Sequence, residues 1–203
     1  MEPDQSRDPG VDEDAGPAGA GRVSRKARGG EGPFWFAVRV WIRDIVISVA
    51  IAAIVIVFLY QPVKVEGTSM MPWLRDQERI FVNKFVYRFE DIRRGDVVVF
   101  RFPLDPSKSY IKRVAGLPGD EVEIIHGELR VNGQPVDEPY LREEYQDAST
   151  YSRTKVPGGH YYVLGDHRNT SNDSRTWGTV PRDYIVGKAV FAYWPLEQFG
   201  VLR

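Results

Sequence analysis

Apolar residues fall along this chain in three regimes. Residues 1–33 contain many Gly, Pro, Asp, Glu and Arg and almost no large apolar side chains. Such a segment buries too little surface to offset its ordering entropy and reads as a disordered tail. Next, Ile45 to Tyr60, IVISVAIAAIVIVFLY, is sixteen residues with no charge and one serine. At ~1.5 Å rise per residue a helix of this length covers most of a ~30 Å hydrocarbon core. Trp41, Ile42 and Val63 extend it, Arg43 snorkels toward the headgroups, and Trp41 and Tyr60 mark the two interfaces. A buried core helix would carry a polar face, and this run has none. A cleavable leader would be followed by a small-residue cleavage site, and QPVKVEG offers no such pattern.

The third regime is strand and turn. RIFVNKFVY (79–87), DVVVFRF (96–102), YIKRVA (110–115), EVEII (121–125), ELRV (128–131), YYVLG (161–165) and KAVFAYW (188–194) are short and rich in β-branched and aromatic residues. Gly, Pro and Asn separate them. Asn132-Gly133 and His126-Gly127 suit tight hairpin turns. No segment past the apolar run sustains a 3.6-residue period over three turns. The expected architecture is mainly β: antiparallel twisted sheets or a partly closed barrel, with one N-terminal transmembrane helix. The divisions are a cytoplasmic tail at 1–36, an anchor at 37–62 and an extracytoplasmic domain at 63–203.

Charge sets the orientation. Arg22, Arg25, Lys26, Arg28, Arg39 and Arg43 precede the span, whereas Lys64, Arg75 and Arg79 are the nearest cations after it. That excess places the amino side in the cytoplasm and everything from Gln61 onward outside. The formal net charge of −1 over 203 residues argues against a nucleic-acid partner. Absence of cysteine removes disulfides, thiolate catalysis and sulfur-ligated zinc. Three scattered histidines give a metal site little support.

Ser69 stands in GTSMMPWL (67–74), among oily neighbours and just past the span. A nucleophilic serine needs a base. His126 and His160 lie in glycine-bearing turns, where solvated histidines are the usual finding. His167 adjoins Asp166, and adjacent side chains seldom converge. The alternative base is a neutral lysine, its proton lost through burial in apolar surroundings. In SYIKRVAG (109–116), read as a strand, Tyr110, Lys112 and Val114 share one face and Ile111, Arg113 and Ala115 the other. Lys112 then projects beside a tyrosine and a valine; an edge lysine pointing to water is the competing reading. A third stretch, GDHRNTSNDSRTWG (165–178), is either a solvated loop or a hydrogen-bonded network supporting a site.

SMMP after an apolar span, RGDVVVFRFP (94–103) followed by YIKRVAGLPGD (110–120), and GDHRNTSNDSRTWG together resemble the bacterial type I signal peptidases, over residues 45 to 194. The resemblance implies a membrane-anchored Ser-Lys endopeptidase that cleaves signal peptides from exported preproteins after small residues. It would form an acyl-enzyme and need no cofactor or metal; its partners would be preprotein signal peptides and the lipid bilayer. Position by position, Ser69 would be the nucleophile and Lys112 the general base. Ser171 would orient the amine, and Asp173 and Arg175 would brace the site. An extended substrate would add as a strand between residues 63–67 and about 108–112. Val65, Gly67, Met70, Leu74, Tyr110 and Ile111 would shape its pockets.

Three positions depart from the family's pattern. Gly67 stands where some relatives place an oxyanion-binding serine, which leaves the Ser69 N–H as the main donor. His167 and Thr170 stand where asparagines are common, and bear on loop packing. Two other readings compete: an anchored β-domain that binds a partner strand without cleaving it, and a self-cleaving Ser-Lys protease of the repressor type.

Overall fold

A computed structural model of the chain describes residues 33–202. The tail expected through residue 36 therefore lies largely outside the described residues, as do Arg22, Arg25, Lys26 and Arg28. Helix α1 (Pro33–Leu59) is 27 residues long, or ~40 Å at ~1.5 Å per residue. Within Phe34–Leu59 an 18-residue window reaches a mean hydropathy of 2.6, and the helix is long and apolar enough to cross a membrane by length and composition. The helix stops earlier than the sequence suggested. Pro62 lacks an N–H and would clash with the carbonyl one turn back, while the residue before it is driven to extended backbone. Tyr60–Lys64 is accordingly a strand, and Val63 packs on a core cluster instead of extending the helix.

Twelve short strands follow. They are β1 (Tyr60–Lys64), β2 (Arg79–Asn83), β3 (Val97–Phe102), β4 (Asp105–Gly116), β5 (Glu121–Ile125) and β6 (Glu128–Val131). After them come β7 (Gln134–Pro135), β8 (Tyr151–Lys155), β9 (His160–Leu164), β10 (Val180–Pro181), β11 (Ile185–Trp194) and β12 (Gly200–Val201). One sheet runs β1-β2-β11-β3-β4-β9-β10, with β12 on β11; the other runs β7-β6-β5-β8. Every pairing is antiparallel. The architecture is mainly β as expected, with neither sheet closing into a barrel.

Both predicted hairpin turns form, with His126 at φ 50 and Gly127 at φ 85, and Asn132 at φ 54 and Gly133 at φ 79. Those paired positive angles suit the tight turns that follow the twist of adjoining strands. The strand expected over 79–87 is shorter. Asn83 Oδ1 accepts from the N–H groups of Phe85 at 2.9 Å and Val86 at 3.0 Å. That local alternative to the ladder turns the backbone into a 3-10 helix at Val86–Arg88. β1, β7, β8 and β10 were not foreseen, because their residues are polar or proline-bearing and make no alternating pattern, and β12 (Gly200–Val201) is too short to make one.

Two apolar clusters decide where the chemistry sits. Ile80, Val82, Val97, Val99, Ala189 and Ala192 pack with Val65, Met70 and Leu74 from the loop between β1 and β2. Val98, Phe100, Val114 and Val163 pack in another cluster, with Tyr110 against it. β4 lies between β3 and β9, an interior strand flanked by ladders on both sides.

Candidate active site

Ser69 is carried by residues 65–78, a loop closed on itself at its base. Val65 N–H donates to Glu78 O at 2.7 Å and Gln77 N–H to Val65 O at 2.9 Å. Side chains tie it further: Gly67 N–H donates to Asp76 Oδ1 at 2.8 Å and Arg75 N–H to Glu78 Oε2 at 2.7 Å. Met70 and Leu74 anchor it, both buried in the core under the sheet. Gly67 has φ +96, backbone that an L side chain seldom adopts, so a serine there would strain this loop.

Lys112 comes from the middle of β4 and is 4% exposed. The solvated edge lysine is thereby excluded. Its Nζ lies 2.6 Å from Ser69 Oγ and 5.5 Å from the centre of the Tyr110 ring. Burial, which penalises the ammonium, pulls its pKa down to about 8, against the opposing pull of the Asp173 and Asp166 carboxylates. A short contact between a hydroxyl and a desolvated amine is the arrangement in which the amine can take the hydroxyl proton.

The segment 165–178 holds a buried hydrogen-bonded network around Asp166, Arg168, Asp173 and Ser174, while Asn169, Thr170, Asn172 and Thr176 stay exposed. Asp173 is fully buried and caps α2 (Ser174–Trp177). It accepts from Gly165 N–H at 3.0 Å and from Arg175 Nε and Nη2, both at 2.8 Å. Arg175 also donates to Asp147 Oδ2 at 2.9 Å and to Arg168 O at 2.7 Å. Ser171 does not meet the lysine: its hydroxyl is buried without a hydrogen-bond partner among the described residues. It fills the space beside the Gly165 α-carbon, where a Cβ would overlap it.

The histidine alternative finds no geometry here. His167 Nδ1 contacts Thr68 O at 3.1 Å, not Ser69 Oγ, and Asp166 pairs with Arg113 at 2.6 Å. His160 Nδ1 contacts Gly158 O in its own turn, and His126 is exposed. Among the described residues no group of three or more His, Cys, Asp or Glu is placed to hold a metal ion.

A groove of about 680 Å³ opens beside Ser69 and Lys112. Val65, Gly67, Met70, Tyr110 and Ile111 line it. Leu74, expected among them, does not: the turn in which Leu74 N–H donates to Met70 O at 2.9 Å tucks its side chain into the core.

Sequence reasoning missed the ionic framework behind the site. Arg113 pairs with Asp166, Arg168 with Glu138, and the Arg113 guanidinium lies 4.0 Å from the Tyr140 ring centre. Trp73 Nε1–H donates to Tyr140 O at 2.8 Å, linking the Ser69 loop to the same framework. Partners tens of residues apart leave no local signal, although four charged residues inside strands and polar loops were countable.

The model of the family described as signal peptidase, peptidase S26, matches residues 38–194. A signal peptidase I of Leptolyngbya laminosa is 39% identical over 171 residues, covering 79% of this chain and 82% of that protein. A signal peptidase I of Bacillus licheniformis is 38% identical over 167 residues, covering 78% and 89%. A solved signal peptidase I from Enterococcus faecalis is 33% identical with a TM-score of 0.43, covering 49% of this chain and 97% of that one.

Proposed function

The chain belongs to the signal peptidase family, peptidase S26, and on that premise we propose that it cleaves signal peptides from exported preproteins with Ser69 as nucleophile and Lys112 as general base. It is a hydrolase of that family; the assignment of the two residues rests on the 2.6 Å approach of a buried amine to the serine hydroxyl.

The substrate lies extended in the groove between residues 63–67 and 108–112, adding a strand to exposed backbone. Ser69 Oγ attacks the carbonyl carbon at the end of the signal peptide while neutral Lys112 takes the hydroxyl proton. The new oxyanion accepts a hydrogen bond from Ser69 N–H, a donor of a kind worth ~3–4 kcal/mol. The C–N bond then breaks, and the Lys112 ammonium protonates the departing amine. Water attacks the resulting ester, giving a proton to Lys112; the bond from the acyl carbon to Ser69 Oγ breaks, the signal peptide leaves with a terminal carboxyl group, and Lys112 returns the proton to Ser69 Oγ. Val65, Met70, Tyr110 and Ile111 keep the amine dry and shape shallow pockets for small side chains. Asp173 and Arg175 brace the loop behind the dyad. Ser171 can orient the amine only after its side chain rotates away from Gly165.

α1 anchors the enzyme in the bilayer, with the amino side in the cytoplasm and everything from Gln61 onward outside. Purified protein mixed with a preprotein tests the reading. Wild type should release the mature protein, and Ser69→Ala and Lys112→Met should not; equal cleavage by wild type and Ser69→Ala would remove the peptidase assignment from this serine.

A further inference from the structure

Position 67 has no side chain, so it offers no hydroxyl to share an oxyanion with the Ser69 N–H. Whatever aims that one N–H carries unusual weight. Among the described residues it donates to no protein acceptor, and Ser69 lines the groove.

We propose that His167 is a positioning residue that aims the Ser69 N–H by holding the other end of the same peptide group. In a trans peptide the carbonyl and the N–H point to opposite sides of one rigid plane. The carbonyl partner of Ser69 N–H is Thr68 O. It accepts from Met71 N–H at 3.0 Å and contacts His167 Nδ1 at 3.1 Å. A carbonyl only accepts, so Nδ1 carries a proton and donates. The next plane is held by the same residue, since His167 N–H donates to Ser69 O at 3.0 Å. Two consecutive peptide planes, one on each side of the nucleophile, thus rest on His167.

The ring itself is fixed. Tyr145 meets it edge to face, with centroids 4.6 Å apart and planes at 84°. The residue arises at the end of β9, just beyond Gly165, whose lack of a side chain lets the backbone pass close to Ser69 O and Ser171. Besides aiming the N–H, donation to Thr68 O polarises that peptide and strengthens it as a donor.

This inference rests on the peptidase reading above, and its experiment separates the two. His167→Phe keeps a ring against Tyr145 and loses the ring N–H. His167→Asn loses the ring but keeps a donor at the same distance from Cα as Nδ1. Cleavage kinetics are measured for both, beside Ser69→Ala. Affinity is measured for a peptide aldehyde, which adds to the serine and places an oxygen in the oxyanion position, and for the cleavage product shortened by its last residue and amidated, which cannot reach that position. The expected result for His167→Phe is a loss of about 10- to 100-fold in kcat with KM nearly unchanged. Aldehyde affinity should fall in parallel, product affinity should hold, and His167→Asn should recover most of the loss.

An unimpaired His167→Phe overturns the inference. So does a joint loss of aldehyde and product affinity, which marks general disorder of the loop, or a His167→Asn as slow as His167→Phe. If Ser69→Ala itself cleaves like wild type, the peptidase reading falls instead.

Discussion

As the proposed general base, Lys112 is the residue at which function and stability oppose one another. Its pKa near 8 means that at pH 7 only a minority of molecules hold the neutral amine. Cleavage should therefore fall about tenfold per pH unit below that value and level off above it. A profile governed by a group near pH 6.5 would contradict this. The same burial has a thermodynamic cost. Between about pH 8 and the ordinary value of 10.5 the unfolded chain binds more protons than the folded one, so this site's contribution to stability rises with pH across that window. Below it the penalty is complete, about 3 kcal/mol at ~1.4 kcal/mol per pH unit. Lys112→Met should abolish cleavage and raise stability at pH 6.5 by up to that amount, the gain fading toward pH 10.5. Urea denaturation of the detergent-solubilised protein at the two pH values measures it. Alternation along β4 made the lysine's apolar face readable, but not its depth, which depends on β9 and the Ser69 loop closing over it. The misplacement of Leu74 has the same origin: an apolar residue four positions after Met70 reads alike whether it faces a groove or a core.

Elements were legible where they alternate and obscure where they do not. β3, β5, β6 and most of β11 follow β-branched runs, whereas β8 (YSRTK) is polar and is held by its partner β5. The 165–178 segment was ambiguous because polar composition describes a solvated loop and a buried network equally well. Asp173 resolves it, since one fully buried carboxylate caps α2, binds Gly165 N–H and pairs with Arg175. Asp173→Asn should cost about 3 kcal/mol by leaving Arg175 partly uncompensated. Because the Asp173 charge draws the Lys112 pKa upward, its removal should also shift the activity midpoint to lower pH. An unchanged or raised midpoint would break the electrostatic link between them. Gly165 is the second constraint. A methyl group there would run into Ser171 and Ser69 O, forcing the Ser69 loop outward. Gly165→Ala should cut kcat at least about tenfold, since misplacement by an ångström already costs that much or more; wild-type turnover would show that the loop yields freely.

On the scale of the whole molecule, the apolar helix and the β-domain impose a single test of topology. α1 offers length and hydropathy for one crossing, and the cation excess ahead of it predicts which end stays inside. A peptidase for exported preproteins must present its groove on the side where those chains emerge, so the wrong orientation would be incompatible with the function proposed. The chain contains no cysteine, which makes single-cysteine labelling free of background. Ser152 is exposed on β8, and Ser24 precedes the helix in sequence. With a membrane-impermeant maleimide on intact cells or right-side-out vesicles, Ser152→Cys should label directly and Ser24→Cys only after permeabilisation. Alkaline carbonate should leave both variants in the membrane pellet, because a helix of this hydropathy is held by burial of its side chains in lipid rather than by charge. Labelling of Ser24→Cys from outside would invert the topology, and extraction by carbonate would replace the spanning helix with a peripheral one.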